Sequence, residues 1–518
     1  MSWQSTCRQT VTRLVVVGVM IIFLLVGLDL PLVIGADQTF THMLTTAPKS
    51  LDPGKSNSID DDQVMWLIYD ALTQLSVDGT HMIPALAERW ESSADGLTYI
   101  FTLRKDVRFH DGSLLDAEAV KVSYERQFLK ASPYYATAPP NAYEGVLSRW
   151  AKDIRVIDSR TVAITTNYSR PSQFAIVKIV SPEALKKHGG DLSRTPIGTG
   201  PFRFERWERD EVLLSPFAVS WHGQPKLAGV RFVTHGKPLE IVEQLIAGDS
   251  HLLTIVPPDY LEQFRSNPNV ALMKYGGLNI MYIGMVMDRP NFKDRRVREA
   301  LVRAIDRNRL ATILGRGAMI PAKGPLPPGC GGFDPEVSQP VYDPERARAL
   351  FREAGTNPLR LRLLYFSPTE IWSEMVHAIR ADLAKVGVTL DLQSAASWSD
   401  FHDKRRANAH DLFFYNWSIS TPDPDRLLPA LFRSDSSDNY THLSDLGVDR
   451  LLDEGQKPLD DSRRLKLYSQ VNRLVVAEIP AIFLVHRIGM AGVSSRVKGL
   501  ALNLYGLPQD KLVTVEVH

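Results

Sequence analysis

Apolar positions recur along the chain with two distinct periods. Residues 99–103, Tyr-Ile-Phe-Thr-Leu, put Tyr99, Phe101 and Leu103 on one side of the backbone. That alternation predicts a strand entered from the turn signal Asp95-Gly96. Elsewhere the spacing is helical. Asp116 precedes a stretch in which Val120, Tyr124 and Phe128 fall four apart, and Asp294 precedes Val297, Leu301 and Ile305 at the same spacing. Each aspartate is placed to cap a helix that buries one stripe. Asp343-Pro344 opens a third helix, whose buried face is Ala347, Leu350, Phe351 and Ala354 and whose end is Gly355. Asp60, Asp61 and Asp62 stand ahead of a helix predicted over residues 63–72, where three acids serve as cap and dipole partner more simply than as a cation site. The Pro- and Gly-dense residues 321–340 read as a long surface connection. Strands and helices mix without the strict alternation of a doubly wound sheet, which predicts an α/β (mixed α+β) chain.

One apolar run has neither period. Residues 14–28 are uniformly of low polarity, follow Arg8 and Arg13, and end at Asp29 and Pro31, with Gly35 and Ala36 just beyond. Such a positive, apolar, then small-residue order predicts a secretory signal over residues 1–36, cleaved near Ala36. A membrane anchor over residues 14–35 is the alternative. It would hold Asp29 within the bilayer at a cost of about 2.5–3.5 kcal/mol near its centre. Cys7 leaves with the signal, and Cys330 then remains as a single thiol that cannot form an internal disulfide.

Composition narrows the classes further. The 518 residues carry 60 Lys+Arg against 59 Asp+Glu, so no basic excess points to nucleic acid. An apolar share of 44% with 23% charged residues is that of a folded chain with ample core. Catalytic signatures are missing: no His-Glu-x-x-His, Cys-x-x-Cys, Gly-x-Ser-x-Gly or phosphate-cradling glycine loop occurs. Gly198-Thr-Gly200 lacks the third glycine of a dinucleotide loop. Ser495-x-x-Lys498 is a chance-level pattern. His402 and His410 have no cysteine near them to suggest a metal. The aromatic segment Phe413-Phe-Tyr-Asn-Trp417 runs into Ser-Ile-Ser-Thr-Pro-Asp-Pro-Asp425. This places Tyr415, Trp417, Ser420 and Thr421 at the end of a buried strand, where ligand sites form; a core strand followed by an ordinary turn is the competing reading.

Residues 84–126 resemble the signature segment of the bacterial extracellular solute-binding proteins of the peptide/nickel class, the family 5 receptors of ABC importers. Ser50-Leu-Asp-Pro53, Pro196-Ile-Gly-Thr-Gly-Pro-Phe202, Asp294 to Leu301, Ala304-Ile-Asp-Arg307, Tyr342-Asp-Pro344, Tyr415 to Asp425 and Ile479-Pro-Ala-Ile-Phe483 follow in family order. The resemblance implies a two-lobed periplasmic binding protein-like fold with a hinge and an extra subdomain in the N-terminal lobe. Lobe 1 would span residues 37–276, completed by 490–518 and carrying the subdomain 77–199; lobe 2 would span 277–489. It further implies a monomeric, non-enzymatic periplasmic receptor without cofactor or metal. Its partners would be a peptide or other small-molecule ligand and the permease subunits of an ABC transporter. Nickel chelates, haem, opines or oligosaccharides are alternative solutes, and a retained N-terminal segment would suit a membrane-tethered sensor or chaperone.

Trp417, Ser420, Tyr415 and Thr421 are the ligand contacts the resemblance favours, with Asn57, Ser58 and Tyr282 as further candidates. Peptide receptors of the family often hold the ligand's ammonium with an Asp three residues after a Trp. Ser420 stands at that position here. A hydroxyl cannot neutralise an ammonium, so either the solute lacks a free amine there or another acid supplies the charge. Asp423 reads as a turn former before Pro424.

Overall fold

Asp116, Asp294 and Asp343 each cap the helix predicted after them in the computed structural model, which describes residues 38–56, 58–76, 81–135, 144–356, 358–419, 421–457 and 461–518. The Asp116 carboxylate accepts from the Ala119 N–H and starts helix Ala117–Phe128. Asp294 accepts from Arg296 and starts Arg295–Ala304. Asp343 accepts from Arg346 and starts Pro344–Glu353. Strand Thr98–Leu103 buries Tyr99, Phe101 and Leu103 as its alternation requires. Residues 1–37, with the apolar run, Cys7 and the cleavage position, lie outside the described residues. Among those described, no helix is long and apolar enough to cross a membrane.

Three larger sheets, of the five among the described residues, organise the fold. A seven-stranded sheet lies in lobe 1, in the order Val270–Tyr275, Gly489–Ser494, Leu252–Leu253, Thr39–Leu44, Gly229–Thr234, Glu211–Pro216, Phe202–Glu208. Strand Thr39–Leu44 is parallel to both its neighbours, and the outer pairs are antiparallel. The subdomain is a four-stranded antiparallel sheet, Ala87–Ser92, Thr98–Leu103, Thr161–Thr166 and Ala151–Asp158. Its core is aromatic, with Phe174 edge-on to Phe101 at 4.7 Å and to Trp150 at 4.9 Å. A buried fork ties it to lobe 1: Arg126 donates to both Asp52 oxygens at 2.7 and 2.9 Å, and the Leu192 N–H adds a third bond at 3.0 Å.

Lobe 2 holds a six-stranded sheet in the order Met319–Pro321, Ala481–Arg487, Asn279–Met285, Leu412–Ser418, Leu359–Tyr365, Val388–Ser394. Both of its faces are covered. Leu412 and Phe414 pack into one core with Ile283 and Leu363, whereas Phe413, Tyr415 and Trp417 pack into the other with Tyr282 and Phe483. A sheet buried on two sides accepts an unbroken apolar strand, which is why residues 412–415 do not alternate. Residues 322–340 are less superficial than their Pro/Gly content suggests. Ala322, Leu326, Cys330 and Val337 join the second core, and the Gln339 amide donates to the Phe483 carbonyl at 2.6 Å.

The chain passes from the seven-stranded to the six-stranded sheet after Tyr275 and returns after Arg487. At the first crossing a Cβ on Gly277 would fall 1.5 Å from the Arg487 carbonyl oxygen, so only glycine fits. Asn279 locks the two crossings together. Its Oδ1 accepts from the Arg487 N–H at 3.0 Å, and its own carbonyl is bonded to His486 Nδ1 at 2.7 Å.

Candidate functional site

A cavity of about 500 Å³ opens where the two lobes meet, within the range of small-solute sites. Most of its wall belongs to lobe 1. Helix Ile59–Ile68 presents Ile59, Asp62 and Trp66, the following segment presents Tyr69 to Ser76, and Ala175 to Lys178 stand beside them. Residues 503–511 close a second side with Asn503, Tyr505, Leu507 and Lys511. Lobe 2 contributes Ser418 and Ile419 from the end of strand Leu412–Ser418.

The helix begins earlier than its pattern predicts, at Ile59 rather than residue 63, because the three aspartates form its first turn instead of preceding it. Asp60 accepts from Thr45 and Thr46, and Asp61 from the Lys49 N–H at 2.7 Å and Ser56 at 2.7 Å. These two pin the neighbouring loop. Asp62 instead faces the cavity and takes Lys178 Nζ at 2.8 Å. The helix ends where Tyr69 becomes extended, with φ at −118°. Gly198 and Gly200 seat against that end: a Cβ on either would come within 2.2 Å of the Ile68 or Leu67 carbonyl oxygen. This close approach is the structural reason for the Gly-Thr-Gly motif, and it brings Thr199 to Asp70.

Asp70 is the hub of the wall. It accepts from Thr199 at 2.8 Å, Trp221 Nε1 at 3.0 Å and His222 Nε2 at 2.9 Å, and pairs with Lys511 Nζ at 2.5 Å. Burial alone would raise its pKa, but the charge of Lys511 and then of His222 outweighs that and holds the carboxyl well below its usual range. Burial in turn lowers the Lys511 pKa despite the attraction of Asp70. The ammonium also donates to the Tyr69 carbonyl at 2.5 Å and lies 4.9 Å from the centre of the Trp66 ring, which itself bonds the Pro508 carbonyl.

Beside the cavity a second polar cluster bridges the lobes. Arg170, just past the last strand of the subdomain sheet, donates Nε–H to Asp425 of lobe 2 at 3.0 Å, and its Nη2 reaches the same oxygen. Asp425 also accepts from Tyr468 at 2.7 Å and Gln456 at 3.1 Å. Asp423 takes both guanidinium nitrogens of Arg464, at 3.0 and 2.9 Å, and its Oδ1 caps the turn by accepting from the Asp425 N–H. It is therefore both the turn former its Asp-Pro context predicts and half of a buried ion pair. Burial raises its pKa, yet Arg464 and then Arg170 bring it below the usual value.

The residues singled out in the sequence are scattered over this region. Tyr282 is buried in the lobe 2 core, edge-on to Phe413 at 5.9 Å, and does not line the cavity. Tyr415 stacks on Phe401 at 5.6 Å beneath Arg405, and Trp417 packs beside it at 6.2 Å; both face the interior of lobe 2, and the cavity begins at the next residue, Ser418. Thr421 is fully buried, and its hydroxyl makes no hydrogen bond among the described residues. Ser58 stands before the helix in extended backbone without a side-chain cap bond, one residue from Ile59 at the cavity. Asn57 and Ser420 lie outside the described residues. Cys330 is buried, and burial pushes its thiol well above the usual range. Burial, with Arg289 adding to it, lowers His410 to about 4. Among the described residues no three His, Cys, Asp or Glu side chains converge to hold a metal ion. Asp62, Asp70, Lys178 and Lys511 escaped sequence reasoning; only the acid triplet marked one of them.

Comparisons with known proteins agree with this architecture. The sequence pattern described as bacterial extracellular solute-binding proteins, family 5 Middle, matches residues 81–439. The dipeptide-binding protein of Escherichia coli strain K12 is 26% identical over 477 residues, covering 87% of this chain and 89% of that protein. Heme-binding protein A of Haemophilus influenzae is 28% identical over 503 residues, 91% of each. Among solved structures, HbpA2 from Haemophilus parasuis superposes with a TM-score of 0.87 at 28% identity, over 93% of this chain and 100% of that one.

Proposed function

Because the chain belongs to the bacterial extracellular solute-binding proteins of family 5, we propose that it captures an oligopeptide or peptide-like solute between its lobes and delivers it to the permease of an ABC importer. The observation that carries this reading is the inter-lobe cavity of about 500 Å³, walled by Trp66, Tyr69, Ile176 and Tyr505 and furnished with two Asp–Lys pairs. Apolar faces accept side chains without regard to sequence, and sparse polar groups fix orientation. The formal charge of the lining, two acids against two amines, suits a solute that is itself balanced. Lobe closure would exclude water and strengthen each polar contact, and the closed form gains only what the solute contributes to it. A periplasmic location belongs to the same reading and is supported by the arginine-led apolar run at residues 14–28.

Calorimetric titration of the purified protein with di-, tri- and tetrapeptides, with haem and nickel–histidine as competing arms, tests the assignment. Saturable binding of peptides recovered intact is the expected result. Binding of haem or the nickel complex without any peptide would replace the ligand, and turnover of the peptide would replace the receptor reading itself.

A further inference from the structure

We propose that Asp62 and Lys178 together read the charged groups of the solute, Asp62 taking a protonated amine and Lys178 an anionic group, so that the ligand is a zwitterion. This rests on the cavity being the receptor site. Four charged side chains line it. Asp70 and Lys511 are committed to the wall: Asp70 has four partners, and the Lys511 ammonium is held by Asp70 and the Tyr69 carbonyl. Asp62 is placed differently. Its side chain is 41% exposed, its Oδ1 meets Lys178, and its Oδ2 accepts no hydrogen bond from any described residue. Asp60 and Asp61 are spent on the neighbouring loop, so only this member of the triplet is turned to the solute.

The opposite wall sharpens the assignment. Lobe 2 brings a hydroxyl and an aliphatic side chain, Ser418 and Ile419, and the chain carries Ser420 where relatives of the peptide class are expected to hold an acid. An ammonium entering the cavity therefore has to find its countercharge in lobe 1. Asp62 sits in the first turn of a ten-residue helix, on the wall that lobe 1 gives the cavity. With Lys178 at 2.8 Å, a solute carrying both charges completes an alternating ring of four, amine on Asp62 and anion on Lys178. A plain cation or a dianion would leave one protein charge facing its like.

The experiment titrates wild type, Asp62→Asn and Lys178→Gln with the dipeptide alanyl-phenylalanine, its N-acetyl form and its C-terminal amide. Native mass spectrometry of the purified protein identifies any retained solute. Removing one charged partner should weaken the free dipeptide roughly ten- to hundredfold. D62N should also lose the preference for the free amine over the acetylated form, and K178Q the preference for the free carboxylate over the amide. Unfolding curves that match wild type establish that both variants are folded, as the exposure of Asp62 leads one to expect. If D62N binds the dipeptide as wild type does, or if the retained solute carries no amine, the inference is overturned while the receptor reading stands. If wild type binds neither dipeptide nor any co-purified solute, both fall.

Discussion

The inter-lobe pair of Arg170 and Asp425 makes closure sensitive to a single side chain. Their side chains are 8% and 1% exposed, and 255 positions separate them in sequence. Arg170→Met keeps most of the aliphatic bulk but withdraws the guanidinium. Among the described residues, Asp425 would then keep the Tyr468 hydroxyl and the Gln456 amide as side-chain donors. Stranding one charge of a buried pair costs about 3–5 kcal/mol. Two remaining donors and the adjacent Arg464 place this case near the lower end. A hinged molecule has an escape that a rigid one lacks: the lobes part, and Asp425 is hydrated without unfolding. The cost therefore falls on the closed form. At about 1.4 kcal/mol per tenfold, R170M should bind solute roughly a hundredfold more weakly. Calorimetry on R170M, D425N and R170M/D425N, with the tightest peptide of the panel, measures this directly. The double variant should regain more than half of the logarithmic loss, since it buries no lone charge. Thermal unfolding without solute should shift little. Wild-type affinity in R170M would refute the reasoning, as would a fall in unliganded stability as large as the fall in affinity.

Other outcomes follow from the same geometry. Gly277→Ala places a methyl against the Arg487 carbonyl, so it should lower the unfolding midpoint by an amount equivalent to roughly 1–3 kcal/mol, seen by calorimetric scanning. Asp70 has a depressed folded pKa, so its contribution is present above the unfolded value of about 3.9 and is lost as pH falls through the folded value. Asp70→Asn should accordingly be destabilised at pH 7, with the gap to wild type narrowing below about pH 4 in unfolding scans. His486 titrates at about 4 because of burial. Between the unfolded value of about 6.5 and 4 the unfolded chain takes a proton that the folded one refuses, which costs stability on the order of 3 kcal/mol as pH falls; His486→Gln should flatten that part of the stability–pH curve.

Local chemistry was largely readable in the sequence. Asp116, Asp294 and Asp343 cap the helices they precede because a cap is decided by residues within one turn. Strand Thr98–Leu103 buries the three residues its alternation selects. The site was less readable. The aromatic run at residues 413–417 was expected to meet the solute, yet period-two geometry turns Tyr415 and Trp417 toward the Phe401 side of the sheet, and the strand reaches the cavity only at Ser418. The acid triplet showed charge at a helix start but not which carboxylate would find Thr45, Ser56 or Lys178, since those partners are set by tertiary packing. The likeness to a known family supplied the two-lobed plan, and the substitution at Ser420 is where that likeness stops short of naming the solute.

The Asp70 hub also bears on when the receptor becomes competent. Trp66 and Tyr69 meet Pro508 and Lys511 across 442 positions, with the whole second lobe threaded between them. Contacts so distant repay their loop entropy late, after the intervening sheets have assembled. Partly folded intermediates would thus be blind to solute, and ligand capture would serve as a readout of completed maturation.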